Sequence, residues 1–509
     1  MTTLPPTLAA NVRERLQEYD SERIGPRIWA KDHTVWKPDP TEIADRLGWL
    51  TVPMAMLNEV GDLERVASDA DSAGYKHVCL LGMGGSSLAP EVLYLCGDSE
   101  LRTLDMRVLD TSDPAQIKAV EAAAGIDRTI FLVASKSGGT IETISQYLYF
   151  RAKFPDARRF MAITDPGSGL AGIAQDEHFL RAFLADPEIG GRYSALSHFG
   201  MVPAALVGAD VEGILTAGVQ MAEACGSRVS AEHNPGAWLG IVLGEAARMG
   251  RDKLTLVLPR ELQSFGWWVE QLVAESTGKE GKGILPVEGE APGPPEAFGD
   301  DRIFVAYGKA AWLDDLERAG HPVVRFPAFD SRSLGAEFYR WEFATAIACW
   351  VLGLNPFDQP NVEEAKAVTS RILAGETPEI ATPPAPEVLE TVQPGDYIAI
   401  NAFITRDRAN EKRLQTVRAA LRDRYHVPVT VGYGPRFLHS TGQFHKGGPN
   451  TGVFLQVVGE DKVDMPIPGR DYTFSQLKQA QAHGDLASLL ARARRAARLT
   501  LEQLAELTR

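Results

Sequence analysis

The sequence lacks any apolar run long enough to cross a membrane, and its N-terminus carries charges where a secretion signal would be apolar. It also lacks an excess of positive charge: the formal net charge is −15, which disfavours general binding to nucleic acid. The four cysteines stand singly, so neither a disulfide framework nor a CxxC metal site is expected. These absences predict a cytoplasmic protein that binds no membrane, nucleic acid or metal.

Apolar residues are abundant: they make up 44% of 509 residues, enough for a large core spread over about two to four domains. From about residue 75, short apolar runs such as HVCLL (77–81) alternate with longer helical stretches. This alternation is typical of parallel α/β sheets. A second series begins near residue 236, and a third, smaller one begins near residue 393.

The predicted fold class is α/β, with parallel sheets flanked by helices and with helical extensions at both ends. We expect an N-terminal helical segment over residues 1–74, a first α/β subdomain over 75–235 and a second over 236–392. An added βαβ piece is expected over 393–465. A C-terminal helical tail should follow over 466–509, where leucine and alanine recur at helical spacing.

A glycine- and serine-rich stretch, LLGMGGSSLAP, follows the first predicted strand and precedes a helix. Gly84, Gly85 and Ser86 lie where backbone N–H groups and a helix N-terminus can receive a phosphate. A dinucleotide-binding loop is one alternative, but Ser87 replaces the third glycine of GxGxxG. A tight turn with a purely structural role is the other.

A second loop, VASKSGGTIET, again follows a predicted strand. Its members Ser135, Lys136, Ser137, Thr140 and Thr143 could surround the oxygens of one terminal phosphate. The GxxxxGK[ST] pattern is absent, so ATP hydrolysis gains no support. Each hydroxyl alone could be an ordinary helix cap, but two such loops in one predicted sheet favour phosphate binding.

Three further segments complete a pattern: GGRYS (190–194), QLVAESTGK (271–279) and NPFDQPNVEEAK (355–366). With the two loops they resemble the sugar isomerase (SIS) domain and, within it, the glucose-6-phosphate isomerase family, over about residues 75–460. The chain is similar in particular to the isomerase half of bifunctional transaldolase/glucose-6-phosphate isomerases. The resemblance implies two SIS subdomains, no cofactor, a homodimer, and interconversion of glucose 6-phosphate and fructose 6-phosphate through a cis-enediol.

The resemblance also implies the catalytic roles. Glu275 would move a proton between C2 and C1, Arg192 would stabilise the enediolate, and Lys366 would assist ring opening. Taken alone, these residues could equally be a solvated glutamate, a structural ion-pair arginine and a surface lysine. Substrate contacts are expected from ten residues: Gly84, Gly85, Ser86, Ser135, Lys136, Ser137, Thr140, Thr143, Gln271 and Gln359.

The family's ring-opening histidine normally lies between the glutamate and lysine segments, but residues 287–300 contain no histidine. The run LHSTGQ (438–443) resembles the histidine motif, so we infer that His439 takes this role, in its own subunit or in a neighbour's. His445 is six residues further on, which is not a known metal-pair spacing. His445 and Lys446 could contact substrate or face solvent.

Two other functions fit parts of this pattern. The protein could isomerise another phosphosugar, with mannose 6-phosphate as a possible second substrate. It could also be a non-catalytic phosphosugar-binding SIS protein, which would need the phosphate loops but not Glu275, Lys366 and His439. Such regulators usually carry a DNA-binding module, and none is visible in the sequence.

Overall fold

The computed structural model describes residues 3–123, 125–376 and 380–508. Three parallel sheets follow one another along the chain, with five, four and four strands. No helix in these described ranges is long and apolar enough to cross a membrane. Four α-helices of the described chain precede the first sheet: α1 (Pro6–Ser21), α2 (Ile24–Trp29), α3 (Val52–Leu57) and α4 (Val60–Ser72).

The first sheet has the strand order β2-β1-β3-β4-β5. All six residues of its strand β3 are buried, because helices cover both faces of the sheet, and this explains the continuous apolar run in the sequence. Its strands are β1 (His77–Gly82), β2 (Asp105–Leu109), β3 (Thr129–Ala134), β4 (Phe160–Thr164) and β5 (Arg181–Leu184). Its helices are α5 (Leu88–Leu95), α6 (Pro114–Glu121), α7 (Ile141–Lys153) and α8 (Gly169–Asp176).

The second sheet has the order β7-β6-β8-β9. Its strands are β6 (Lys253–Val257), β7 (Leu285–Val287), β8 (Arg302–Tyr307) and β9 (Val323–Phe326). The chain between β5 and the third sheet also contains the helices α9 (His198–Leu206), α10 (Val211–Ala224), α11 (Pro235–Arg248), α12 (Gln263–Thr277), α13 (Leu313–Arg318), α14 (Leu334–Leu352), α15 (Val362–Leu373) and α16 (Ala385–Leu389). Helix α14 is buried along nearly its whole length against α10, α11 and α12, which accounts for its apolar residues on every side.

The third sheet has the order β11-β10-β12-β13, and all its strand pairs are parallel. Its strands are β10 (Tyr397–Phe403), β11 (Val429–Tyr433), β12 (Gly452–Val458) and β13 (Arg495–Leu499). Its helices are α17 (Arg408–Tyr425), α18 (Gly442–Gly447), α19 (Phe474–Ala491) and α20 (Leu501–Glu506). The predicted βαβ piece therefore forms the larger part of a complete four-stranded sheet.

Strand β13 corrects the prediction of a purely helical tail over 466–509. Helix α19 ends at Ala491, the backbone turns at Ala493 with a φ of 52°, and Ala497 then pairs with Leu455 of β12. Alanine and arginine favour helix, so local propensity misled the prediction. The edge of β12 offers backbone hydrogen bonds to the passing chain, and this tertiary pairing overrides the propensity.

The order of the first sheet determines where a ligand can bind. The chain runs from β1 to β2 on one side and then crosses to β3 on the other side of β1. A crevice opens outside the carboxyl ends of parallel strands where the connections change direction in this way. The two loops that the sequence singles out leave the carboxyl ends of β1 and β3, so both lie at this crevice.

Candidate active site

The turn after β1 is packed tightly because it contains two glycines. Gly84 has a φ of +56°, and a Cβ there would lie 2.9 Å from Gln271 Nε2 and 3.0 Å from the His439 carbonyl oxygen. A Cβ on Gly85 would lie 1.9 Å from the carbonyl oxygen of Gly191. Only glycines let these backbones approach so closely. The turn thus brings together segments that the sequence separates widely.

The loop from Ser135 to Thr143, called here the hydroxyl loop, carries hydroxyls that are only partly engaged. Ser135 Oγ and Thr140 Oγ1 are 2.9 Å apart, whereas Ser137 is exposed. The Thr143 hydroxyl is buried and has no hydrogen-bond partner among the described residues. Because a buried hydroxyl without a partner is costly, Thr143 Oγ1 is a candidate donor to a ligand.

The Lys136 side chain is already bound to other groups of the protein. Its Nζ forms an ion pair with Asp165 and donates to the Pro187 carbonyl oxygen at 3.1 Å. Burial raises the pKa of the Asp165 carboxyl, an effect that the hydrogen bond from Lys136 opposes. The Lys136 ammonium is therefore engaged by protein acceptors, and only its backbone is left for the predicted contact with substrate.

Glu275 lies in the last turn of α12 and is only 8% exposed. Its Oε1 lies 3.1 Å from Arg192 Nη1, and its Oε2 accepts a hydrogen bond from Gln271 Nε2 at 3.1 Å. The same Nε2 donates to the His439 carbonyl oxygen at 2.9 Å, while Gln271 Oε1 is buried without a partner among the described residues. The predicted base, arginine and histidine segment therefore meet at one helix.

The guanidinium of Arg192 is held in what we call the arginine cradle. Its Nε donates to Ser276 Oγ at 2.9 Å and its Nη1 to Gln359 Oε1 at 2.7 Å. Its Nη2 donates to the carbonyl oxygens of Pro356 and Asp358, both at 2.9 Å. Gln359, expected to position a substrate hydroxyl, is thus also a partner of Arg192.

Lys279 also contacts the arginine cradle, a role that the sequence did not predict. Its Nζ donates to the carbonyl oxygens of Asn355 and Asp358 at 2.7 Å, and to Asp358 Oδ1 at 2.5 Å. Burial lowers the pKa of Lys279, and the charge of Arg192 adds to this effect. The lysine ends the recognisable AESTGK segment, but its role depends on residues nearly eighty positions away, which no spacing rule reports.

The His439 side chain contacts the hydroxyl loop's helix within the same chain. Its Nε2 lies 2.9 Å from Glu142 Oε1, and Gln481 Nε2 donates to the same oxygen at 2.6 Å. Burial alone would raise the pKa of Glu142, but the facing histidine and the hydrogen bonds lower it below its ordinary value. Glu142 was also missed; its place in GTIET beside the hydroxyls predicted to bind phosphate was the available signal.

The three remaining candidate residues, Lys366, His445 and Lys446, differ in their exposure to solvent. Lys366 is in α15 with an exposed side chain, unlike the buried Glu275. His445 and Lys446 do not face solvent: both are 2% exposed, and Lys446 Nζ pairs with Asp485 Oδ1 at 2.6 Å. Burial lowers the pKa of His445 well below its ordinary value.

Known proteins resemble this chain in sequence and in fold. The profile of the family Phosphoglucose isomerase matches residues 64–284. A glucose-6-phosphate isomerase of Rubrobacter xylanophilus is 28% identical over 410 residues, covering 68% of this chain and 92% of the relative. One from Thermosynechococcus vestitus is 36% identical over 216 residues, 40% of each chain.

Two solved structures share the fold. A hypothetical protein from Thermus thermophilus superposes with a TM-score of 0.62 and 22% identity, covering 74% of this chain and 100% of the other. A glucose-6-phosphate isomerase from Chlamydia trachomatis gives a TM-score of 0.55 and 18% identity, covering 70% and 79%. At these identities the likeness shows the α/β fold.

Proposed function

We propose that this chain, which belongs to the phosphoglucose isomerase family, interconverts glucose 6-phosphate and fructose 6-phosphate as an aldose–ketose isomerase. The observation that carries the proposal is the buried Glu275 carboxylate, within the family match and in hydrogen-bonding contact with Arg192 and Gln271. A base for proton transfer and a cation for the charge that follows are thus neighbours. The more specific likeness to bifunctional proteins stays a prediction.

The phosphate group would bind at the carboxyl ends of β1 and β3. Ser86 and the hydroxyl loop provide hydroxyl donors there, and Thr143 Oγ1 has no protein partner among the described residues. Backbone N–H groups at Gly84 and Gly85 lie in the turn that leads into α5. Anchoring the phosphate would leave the sugar carbons to extend towards α12.

Ring opening comes first in the direction from glucose 6-phosphate. The ring oxygen gains a proton as the C1–O5 bond breaks, and the C1 hydroxyl loses one. We assign these transfers to His439, with Lys366 assisting near the ring oxygen. The Glu142 carboxylate, 2.9 Å from His439 Nε2, supports this assignment because it orients the imidazole.

Isomerisation then moves one proton between adjacent carbons. Glu275 removes the proton from C2, which leaves a cis-enediol carrying negative charge on oxygen; a hydroxyl proton passes from O2 to O1, and Glu275 returns its proton to C1. When Glu275 accepts the proton it becomes neutral, and its ion pair with the Arg192 guanidinium is lost. The negative charge is then on the substrate oxygens, which the guanidinium can stabilise instead. The arginine cradle keeps the guanidinium in place during this shift, so little reorganisation is needed.

Glu275→Gln tests the proposal most directly. We expect turnover to fall by at least about 10²–10⁴-fold, since the amide cannot accept the C2 proton. Binding of fructose 6-phosphate should persist, because the phosphate contacts remain. Glu261→Gln, an exposed change just before α12, is the matched control and should keep wild-type turnover. Wild-type activity in Glu275→Gln would refute the role of Glu275. Mannose 6-phosphate in the same assay measures substrate selectivity.

We further propose that His439 acts in cis within a homodimer. Its side chain reaches Glu142, and its carbonyl oxygen accepts from Gln271, all in one chain. Mixed His439→Ala and Glu275→Gln subunits should then recover no activity after subunit exchange has been demonstrated. Recovery of activity in the mixed oligomers would mean that the histidine acts in trans.

A cytoplasmic location is the last part of the proposal. The four cysteines, Cys79, Cys96, Cys225 and Cys349, are free thiols, and all but Cys96 are buried. Free thiols fit a reducing compartment, where a phosphosugar substrate would also be available. Fractionation of the host cell would test this location.

A further inference from the structure

A cavity of about 280 Å³ lies between α12 and the third sheet. Its walls come from α12, α17, β11 and the turn that precedes His439. None of the catalytic or substrate-binding residues proposed above lines it, within the part of the chain that the structure describes. Its volume is near the lower end of the roughly 300–1,000 Å³ typical of small-molecule sites. The cavity is therefore separate from the proposed active site and close in volume to known small-molecule sites.

Arg406 provides positive charge at this cavity, and among the described residues no carboxylate lies within ion-pair distance of it, although its charge opposes the burial that raises the pKa of Glu288 and of Asp110. Its guanidinium lies 5.3 Å from the ring centroid of Trp267 and 5.7 Å from that of Tyr433. Across the described ranges it forms neither an ion pair nor a side-chain hydrogen bond. Arg436 differs: it also lies over Trp267, but it pairs with Asp110 at 2.6 Å and Glu91 at 2.5 Å. Arg406 is thus the guanidinium whose donors remain available for an anion.

Carboxyl and amide groups surround the same space. Burial raises the pKa of Glu270 to about 8, and the nearby charge of Glu288 contributes, which favours the neutral form of Glu270. Glu270, Glu288, Glu411 and Gln263 can together donate to and accept from hydroxyl groups, while Gln415 Nε2 donates to Glu411 Oε1 at 3.0 Å. The described residues include no group of carboxylates and histidines arranged to hold a metal ion, so these carboxyls do not indicate a cation site.

We infer that this cavity binds a small polyhydroxylated anion, with its anionic group on Arg406 and its hydroxyls on the surrounding carboxyl and amide groups. The rings of Trp267 and Tyr433 hold the guanidinium in position. Sugar phosphates and sugar acids share this chemistry. The inference goes beyond the proposed isomerase activity, because it assigns a second binding site outside the catalytic residues.

The position of the cavity connects it to catalysis. Phe437 and Ser440 line it and flank His439 in sequence, and Glu270 precedes Gln271 on α12. An occupant would therefore contact residues covalently adjacent to two residues of the proposed site. We expect occupancy to change the KM for fructose 6-phosphate. This linkage makes the cavity an effector site rather than a second catalytic centre.

Isothermal titration calorimetry of the full-length Glu275→Gln protein tests the inference without turnover. Fructose 6-phosphate should bind in two events, and Arg406→Gln should weaken one of them about tenfold or more, as expected for the loss of a charged hydrogen bond. Competition for that event by gluconate would assign the site to sugar acids, and competition by inorganic phosphate would assign it to sugar phosphates.

Two further variants complete the experiment. Arg413→Gln, an exposed change on α17 that does not line the cavity, should keep both events. Gln415→Trp should fill the cavity and abolish the second event, which provides an independent check if Arg406→Gln does not fold. A single event with every probe, or a second event that persists in Gln415→Trp, would overturn the inference. Failure of the proposed isomerase function would appear instead as a wild-type protein without turnover.

Discussion

The arginine cradle and the hydroxyl loop differ in how far their polar groups are hydrogen-bonded within the protein. All three nitrogens of the Arg192 guanidinium donate to protein acceptors, so its position is fixed in the absence of substrate. In the hydroxyl loop, Ser135 and Thr140 contact each other, while the buried Thr143 hydroxyl has no partner among the described residues. The difference indicates that the protein fixes the guanidinium charge needed for catalysis before substrate binds, whereas the hydroxyl donors needed for binding stay available for the ligand.

Replacing Arg192 would break the cradle and should give the largest effect. We expect Arg192→Ala to lower kcat by about 10²–10³-fold, as when one preorganised donor to a developing charge is removed. Arg192→Lys should recover little activity, because an ammonium group cannot reproduce the planar fork that reaches Ser276, Gln359 and two carbonyl oxygens.

Steady-state kinetics of both variants, with circular dichroism to check folding, would measure this effect. A lysine variant with wild-type kcat would show that only the charge matters and that the cradle is not required. A fall in kcat with little change in KM would place the loss in the chemical step.

The second prediction concerns the partner of His439. Glu142→Gln should lower kcat by about tenfold with little change in KM, because a hydrogen bond to a charged group is worth roughly 1.5–3 kcal/mol. Glu142→Asp should restore part of the rate by supplying a carboxylate again. Gln481→Ala, which removes the second donor to Glu142 and also the acceptor of the Ser112 hydroxyl, should lower kcat less. A KM effect larger than the kcat effect would mean that Glu142 serves phosphate binding instead.

Local patterns predicted the elements around the site but not their partners. The loops after β1 and β3 and the shared face of Gln271 and Glu275 depend on short-range spacing, and sequence reasoning found them. The pair of His439 and Glu142 spans 297 positions, and it forms only because the third sheet packs beside the first. Strand β13 was missed for the same reason, since its pairing with β12 is tertiary.

Support for the cradle from Lys279 is the third, smaller effect. Lys279→Met should lower kcat a few-fold, because Asp358 would lose the ammonium that holds the carbonyl oxygen shared with Arg192. The melting temperature should also fall, since Lys279 is buried and its removal leaves the partly exposed Asp358 carboxylate and two carbonyl oxygens without their ammonium donor. Thermal unfolding and kinetics on the same preparation measure both. Unchanged kcat with a lower melting temperature would confine Lys279 to stability.

The smallest effect on kcat should come from the hydroxyl loop, where a change in KM would sharpen the comparison most. Thr143→Val removes a buried hydroxyl that has no partner among the residues described and replaces it with a methyl group of similar size. If that hydroxyl is kept for phosphate, KM should rise by about threefold to tenfold while the melting temperature stays equal or rises, because an unsatisfied polar group has gone. Ser137→Ala, at an exposed position, should change KM less. A Thr143→Val protein that loses stability without losing affinity would show that the hydroxyl serves the fold. The polar groups of the hydroxyl loop, like those of the arginine cradle, would then be held by the protein rather than kept available for a ligand.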